Sequence, residues 1–205
     1  LVVTQNALDR IGALPEGIAP EITDARVFDR AVPLPPESVH QGAALEVKPL
    51  KWGSLTDLAL SGPGRPLLVA LDRVTDPHNV GAILRSAEVF GARAVIAPSR
   101  HSAPETGALA KTASGALERQ PYLRIGNLSD ALEALKAAGF VTIGLAGETD
   151  AALEEVLDLA DGRPVCLVLG AEGAGMRQLT RKTCDELVSI PMQGAVESLN
   201  VSVAS

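Results

Sequence analysis

Three places along the 205-residue chain gather polar groups at spacings that suit a ligand site. In Leu71-Asp72-Arg73-Val74-Thr75-Asp76-Pro77-His78-Asn79-Val80-Gly81-Ala82-Ile83-Leu84-Arg85-Ser86-Ala87, a carboxamide at Asn79 is followed six residues later by the guanidinium of Arg85. Glu172 is the one carboxylate within Gly170-Ala171-Glu172-Gly173-Ala174-Gly175-Met176, whose glycines let a backbone approach a ligand closely or take φ > 0. Last, Ser198 and Asn200 lie in Ser189-Ile190-Pro191-Met192-Gln193-Gly194-Ala195-Val196-Glu197-Ser198-Leu199-Asn200-Val201-Ser202, where Pro191 and Gly194 shape a loop. Such groups can hydrogen-bond and orient a polar ligand. The glycine order Gly-x-x-Gly-x-Gly is reversed from a dinucleotide fingerprint, and no Lys completes a phosphate-binding loop.

The elements that must carry these residues are legible around them. Leu67–Leu71 reads as a strand, Asp76 as a helix N-cap and Pro77 as a first helical residue. Val80, Ile83, Leu84 and Ala87 follow helical spacing and must face the core, with Asn79 and Arg85 off that stripe. At roughly 100° per residue those two stand about 120° apart, so only the long Arg side chain brings both to one site. Val165–Leu169 is a strand running into the glycine turn. Further strand-like runs at 94–97, 140–145 and 187–190 alternate with helical patterns, the signature of a parallel sheet. Ser129 can cap a helix through Ala131, Leu132, Leu135 and Ala138 that Gly139 stops. In open sheets of this kind ligands bind beyond the strands' C-terminal ends. Taken singly, each block is equally a capped surface helix, a tight strand-to-helix turn, or ordinary capping by Ser198 or Asn200.

Composition sets the frame. Hydrophobic residues make up 46% of the chain and aromatics 2%, so Ala, Val, Leu and Ile must build the core, which suits parallel strands covered by helices. Residues 1–48 carry short strand-like runs, among them Leu1–Val3 and Ala43–Val47, and read as a small α/β unit. A Pro-, Gly- and Ser-rich stretch over 49–65 reads as a linker, with Leu55–Leu60 able to form a helical turn, and 66–205 as the main domain. Cys166 and Cys184 have neither disulfide nor metal-ligand spacing, which implies a reducing, cytoplasmic setting and no metal. No run approaches a membrane span. The net charge of -7 argues against a nucleic-acid partner unless a locally basic cleft sits within an acidic remainder.

The three blocks in order, Asp-Pro-x-Asn-x-Gly-Ala-x-x-Arg-x-Ala, Leu-Gly-x-Glu-Gly-x-Gly-Met and Ile-Pro-Met-x-Gly-x-Val-x-Ser-Leu-Asn-Val-Ser, resemble the SpoU/TrmH family of RNA ribose methyltransferases (the SPOUT superfamily). Val39-His40-Gln41-Gly42 and Arg177–Leu187 resemble the bacterial branch acting on a guanosine of large-subunit ribosomal RNA, although His40 by itself reads as a turn or packing residue. The resemblance implies a doubly wound α/β domain with a C-terminal trefoil knot, an exception to unknotted topology. A small ribosomal-protein-like (L30e-like) RNA-binding domain would precede it. It further implies S-adenosylmethionine as methyl donor, ribosomal RNA rather than transfer RNA as partner, and a homodimer. Asn79, Arg85, Glu172, Ser198 and Asn200 match the family's active-site positions; Gly170, Ile190, Met192 and Leu199 match its cofactor-binding ones. Arg85 would be the base in family proposals, whereas a guanidinium, always protonated, is physically better suited to clamp a phosphate. Against the family pattern, both ends look truncated, and the helix that closes the cofactor pocket is expected to be absent or unordered. A catalytically idle RNA-binding module is the competing reading; a nucleotide-dependent oxidoreductase is disfavoured by the glycine order.

Overall fold

The computed structural model describes residues 1–34, 38–147, 149, 151, 153, 156, 160–190 and 201. Met192, Ser198, Leu199 and Asn200 lie outside the described residues. Two compact units are present, Leu1–Leu50 and Lys51–Ser205.

In the first unit, β1 (Val2–Val3) pairs parallel with β2 (Glu21–Ile22) and antiparallel with β3 (Ala43–Ala44). Helix α1 (Gln5–Ile11) starts where the Thr4 hydroxyl accepts the Ala7 N–H, and a short α2 covers Phe28–Ala31. Val3, Ala7 and Phe28 are buried. His40 stacks on Phe28 with ring centroids 4.4 Å apart; its Nδ1 accepts the Gly42 N–H and its Nε2 lies 3.0 Å from Asp29. It is a packing residue, as its sequence setting implies. Pairing of the expected 43–47 run ends at Ala44; Leu45 and Val47 are exposed.

Among the described residues the second unit is built on six strands, β4 (Leu67–Asp72), β5 (Ala94–Pro98), β6 (Tyr122–Ile125), β7 (Val141–Leu145), β8 (Val165–Gly170) and β9 (Glu186–Val188). Their order is β6-β5-β4-β8-β7-β9, with every pairing parallel. Alternate residues reach opposite faces. Val69, Leu71, Val95, Ala97 and Leu169 meet Val80, Ile83, Leu84 and Ala87 of α4 (Pro77–Val89) and Leu109 and Ala113 of α5 (Gly107–Ala113). Leu68, Ala70, Ala94, Ile96, Cys166 and Val168 meet Ala59 of α3 (Leu55–Leu60) and Leu128, Leu132 and Leu135 of α6 (Leu128–Ala137). Both faces are therefore covered, which explains strands that are apolar throughout. Helix α7 (Gln178–Thr183) leads into β9.

Several details depart from the sequence reading. Asn79 is buried rather than clear of the core stripe. The cap of α6 is Asn127, whose side chain accepts the Ser129 N–H; Ser129 itself is buried. Gly139 does follow that helix in a left-handed conformation at φ 90°. Strand β6 was not anticipated, because a four-residue, partly exposed edge segment containing Arg124 makes no apolar run. Within the 49–65 stretch, α3 packs on the sheet, and the Arg93 guanidinium donates to the carbonyls of Ala59, Gly62, Pro63 and Gly64.

Candidate active site

The chain builds β4, β5 and β6 outward in one direction, then returns with β8 beside β4 and β7 beyond it. The order thus reverses between β4 and β8, and the crevice beyond the C-terminal ends of two such strands is the default ligand site of an open parallel sheet. Asp72 and Gly170, the last residues of these strands, are register partners. Asp72 is fully buried, and its carboxylate accepts the Arg177 N–H and Nε–H, both at 2.7 Å. That pairing is what makes a buried charge tolerable there.

Gly170 opens a short hairpin, in which Ala171 and Gly175 exchange two main-chain hydrogen bonds and Gly173 and Gly175 have φ of 70° and 62°. A Cβ on Gly170 would overlap the Gly175 and Met176 main chain. The close approach expected of this glycine is thus made by the chain's own backbone. Glu172 lies exposed on the hairpin.

A cleft of about 350 Å³ opens at this switch point, lined by Arg73, Thr75, His101, Ala171, Ala174, Gly175 and Arg177. Its far wall belongs to the loop after β5. That loop is clamped from β6: Tyr122 Oη and an Arg124 amine donate to the Ala103 carbonyl, and the other Arg124 amine donates to that of Ser99. The Ser102 hydroxyl also closes onto the Pro98 carbonyl. Burial pushes the Tyr122 hydroxyl up to about 12, against a smaller lowering by Arg124. Burial likewise raises both thiols, Cys184 to about 11, so neither cysteine is a nucleophile near neutral pH.

The sequence-read residues are distributed more widely than the cleft. Asn79 is buried in the first turn of α4 and Arg85 is exposed on the same helix, about 9 Å further along its axis. Among the described residues no hydrogen bond or ion pair joins Asn79, Arg85 and Glu172. Gly81, between them, is required by packing: its Cβ would press on Thr112 and the Ala113 nitrogen of α5. Arg73, His101 and the Asp72 to Arg177 pair were missed as site residues, although Asp72 and Arg73 sit at a strand end at the start of the first block. His101 had no local signal; only the fold brings it there.

The model of the SpoU rRNA Methylase family matches residues 66–205. The chain belongs to this family. Among curated SpoU relatives, the 23S rRNA (guanosine-2'-O-)-methyltransferase RlmB of a Burkholderia species is 53% identical over 82% of this chain and 68% of its own length. That of Pseudomonas aeruginosa is 49% identical over 82% and 68%. The chain thus spans about two thirds of these relatives. The SpoU methyltransferase AviRb of Streptomyces viridochromogenes, crystallised with AdoMet, superposes with a TM-score of 0.63 at 33% identity, covering 74% of this chain and 60% of that one. An AdoMet-bound rRNA methyltransferase from Sinorhizobium meliloti shares the fold over 99% of this chain and 75% of its own, with a TM-score of 0.63 at 22% identity.

The described residues suit that donor. The parallel strands β7, β8 and β9 end on one edge in Leu145-Ala146, Gly170-Ala171 and Ser189-Ile190, whose side chains are apolar or small. An adenosine needs apolar walls of this sort.

Proposed function

We propose that this chain catalyses S-adenosylmethionine-dependent methylation of a ribose 2'-hydroxyl in RNA, with a guanosine of 23S ribosomal RNA as target. The observation that carries the reading is the family match over 66–205, joined to about half identity with relatives named for that reaction. The N-terminal unit would be part of an RNA-binding domain of the L30e-like kind. The segment after β9 would complete a trefoil knot, and two copies would form the working dimer in the cytoplasm.

Gly170 and Ile190, with Met192 and Leu199, would hold the donor, which supplies an activated methyl group. The work left to the chain is placement: a 2'-hydroxyl is a weak nucleophile and must be aligned and relieved of its proton. Arg85 would clamp the phosphate beside the target ribose, its guanidinium being a poor base, with proton acceptance as the alternative role. Asn79, Glu172, Ser198 and Asn200 would orient that group and line the pocket.

Incubating the protein with unmodified 23S rRNA transcript or tRNA and labelled S-adenosylmethionine tests the reading. Nuclease digests should yield 2'-O-methylguanosine from the ribosomal transcript. Label appearing only in tRNA would overturn the target, and none in either would overturn the activity. Arg85→Ala should abolish transfer while cofactor affinity by calorimetry stays nearly intact; full activity in that variant would remove Arg85 from the site.

A further inference from the structure

We propose that the cleft at the switch point grips the phosphodiester backbone of the substrate RNA through Arg73, His101 and Arg177. This rests on the reading that RNA is the substrate, and it assigns residues other than those matching the family's site positions to holding it.

The chemistry of the lining is one-sided. Three of its side chains are nitrogen donors, Thr75 adds a hydroxyl, and none carries a carboxylate, in a protein with 25 acidic against 18 basic residues. The one carboxylate beneath, Asp72, has no exposed surface and is engaged by Arg177. It fixes the Arg177 Nε while the side chain stays 45% exposed, and the terminal amines have no hydrogen bond among the described residues. A guanidinium anchored on one edge and open on the other is prepared for bidentate recognition of a phosphate.

The backbone adds an independent sign. Arg73 and His101 have φ of 63° and 62°, a conformation uncommon for residues with a side chain. Both of these residues line the cleft, and strain of this kind gathers where a fold presents a side chain to a ligand. His101 is presented by the loop that Tyr122 and Arg124 clamp. Its imidazole has at least one N–H to donate whichever protonation state it holds. Since a ribose 2'-hydroxyl adjoins its own 3'-phosphate, gripping the backbone here would place the hydroxyl at the same sheet edge as the donor site.

Glycine tolerates left-handed backbone, so Arg73→Gly and His101→Gly remove the donors without asking the loops to refold. Measured on the full chain with unmodified 23S rRNA transcript, each should raise KM about tenfold, one charge-assisted contact's worth. Arg73→Gly should also flatten the slope of log affinity against log salt by roughly one ion, and Arg73→Lys should restore it. The thermal shift produced by S-adenosylmethionine should be unchanged in every variant. Wild-type KM and salt slope in both variants would overturn the inference while leaving the methyltransferase reading standing. A wild-type protein that binds no RNA overturns that reading itself. Inorganic phosphate protecting the protein as well as RNA does would show a small-anion site instead.

Discussion

Asp72 and Arg177 show how a residue's meaning depends on its partner. An aspartate ending a strand has no obvious role in sequence; in the fold it receives two hydrogen bonds from one residue 105 positions away. Removing the cation alone leaves a buried carboxylate with one main-chain donor. Arg177→Met should therefore destabilise the protein by about 2–3 kcal/mol, below the full loss of a buried pair because the Arg is half exposed. Asp72→Asn combined with Arg177→Met should recover part of that loss in urea titrations; strictly additive losses would show that the pair is not coupled. Gly170 and Gly81 carry the complementary lesson. Both belong to the blocks that mark the family, and both are demanded by the chain's own packing, against Gly175–Met176 and Thr112–Ala113 respectively. In sequence a glycine records that something approaches closely, without recording whether it is a ligand or the protein itself.

At the scale of elements, α4 is the best-specified piece. Asp76 caps it, Pro77 begins it, and Val80, Ile83, Leu84 and Ala87 are buried as their spacing requires. The weakly specified pieces are those whose stability comes from elsewhere. Helix α3 has six residues and is held by Ala59 in the core and by the four carbonyls that Arg93 binds. Too short to persist alone, it is a tertiary feature. Arg93→Met should thus cost about 1–2 kcal/mol and accelerate amide exchange across 55–64, with β4 and β5 still protected. Unchanged exchange over 55–64 would mean that α3 is held by its apolar contacts alone. Strand β6 was illegible for a related reason: it is an edge strand, and its Arg124 serves the loop after β5 instead of an apolar face.

For the whole molecule, the strand order decides where chemistry can occur. Donor placement likewise reconciles a net charge of -7 with an RNA substrate, since Arg73, His101 and Arg177 line one cleft whose lining side chains include no carboxylate. Global stability also carries a marker of this packing. Burial raises the Tyr122 pKa from its ordinary 10 to about 12, so the folded state keeps a proton that the unfolded chain releases. The folded state binds more protons in that interval, so stability should fall as pH rises from about 10 to 12. Tyr122→Phe should remove this part of the pH dependence in denaturation measured across the alkaline range. It should also loosen the loop after β5, which keeps the Arg124 hydrogen bonds but loses that of Tyr122 to the Ala103 carbonyl.

Taken by itself, the sequence determined the α/β class, the core stripe of α4, the strands β4, β5, β7 and β8, and through three collinear blocks the family. Those features are local: periodicity, caps and short motifs are properties of neighbouring residues. The tertiary structure alone decided that β4 and β8 are adjacent, that Asp72 holds Arg177, and that Arg73, from the loop after β4, shares a cleft with His101, from the loop after β5. It also decided that Asn79 is buried while Arg85 is exposed, an inequality invisible in a helical repeat. The physical reason is that a site at a switch point is assembled from ends of elements far apart in the chain. Each contributes a residue or two whose local setting is an ordinary loop, and only strand pairing makes them neighbours.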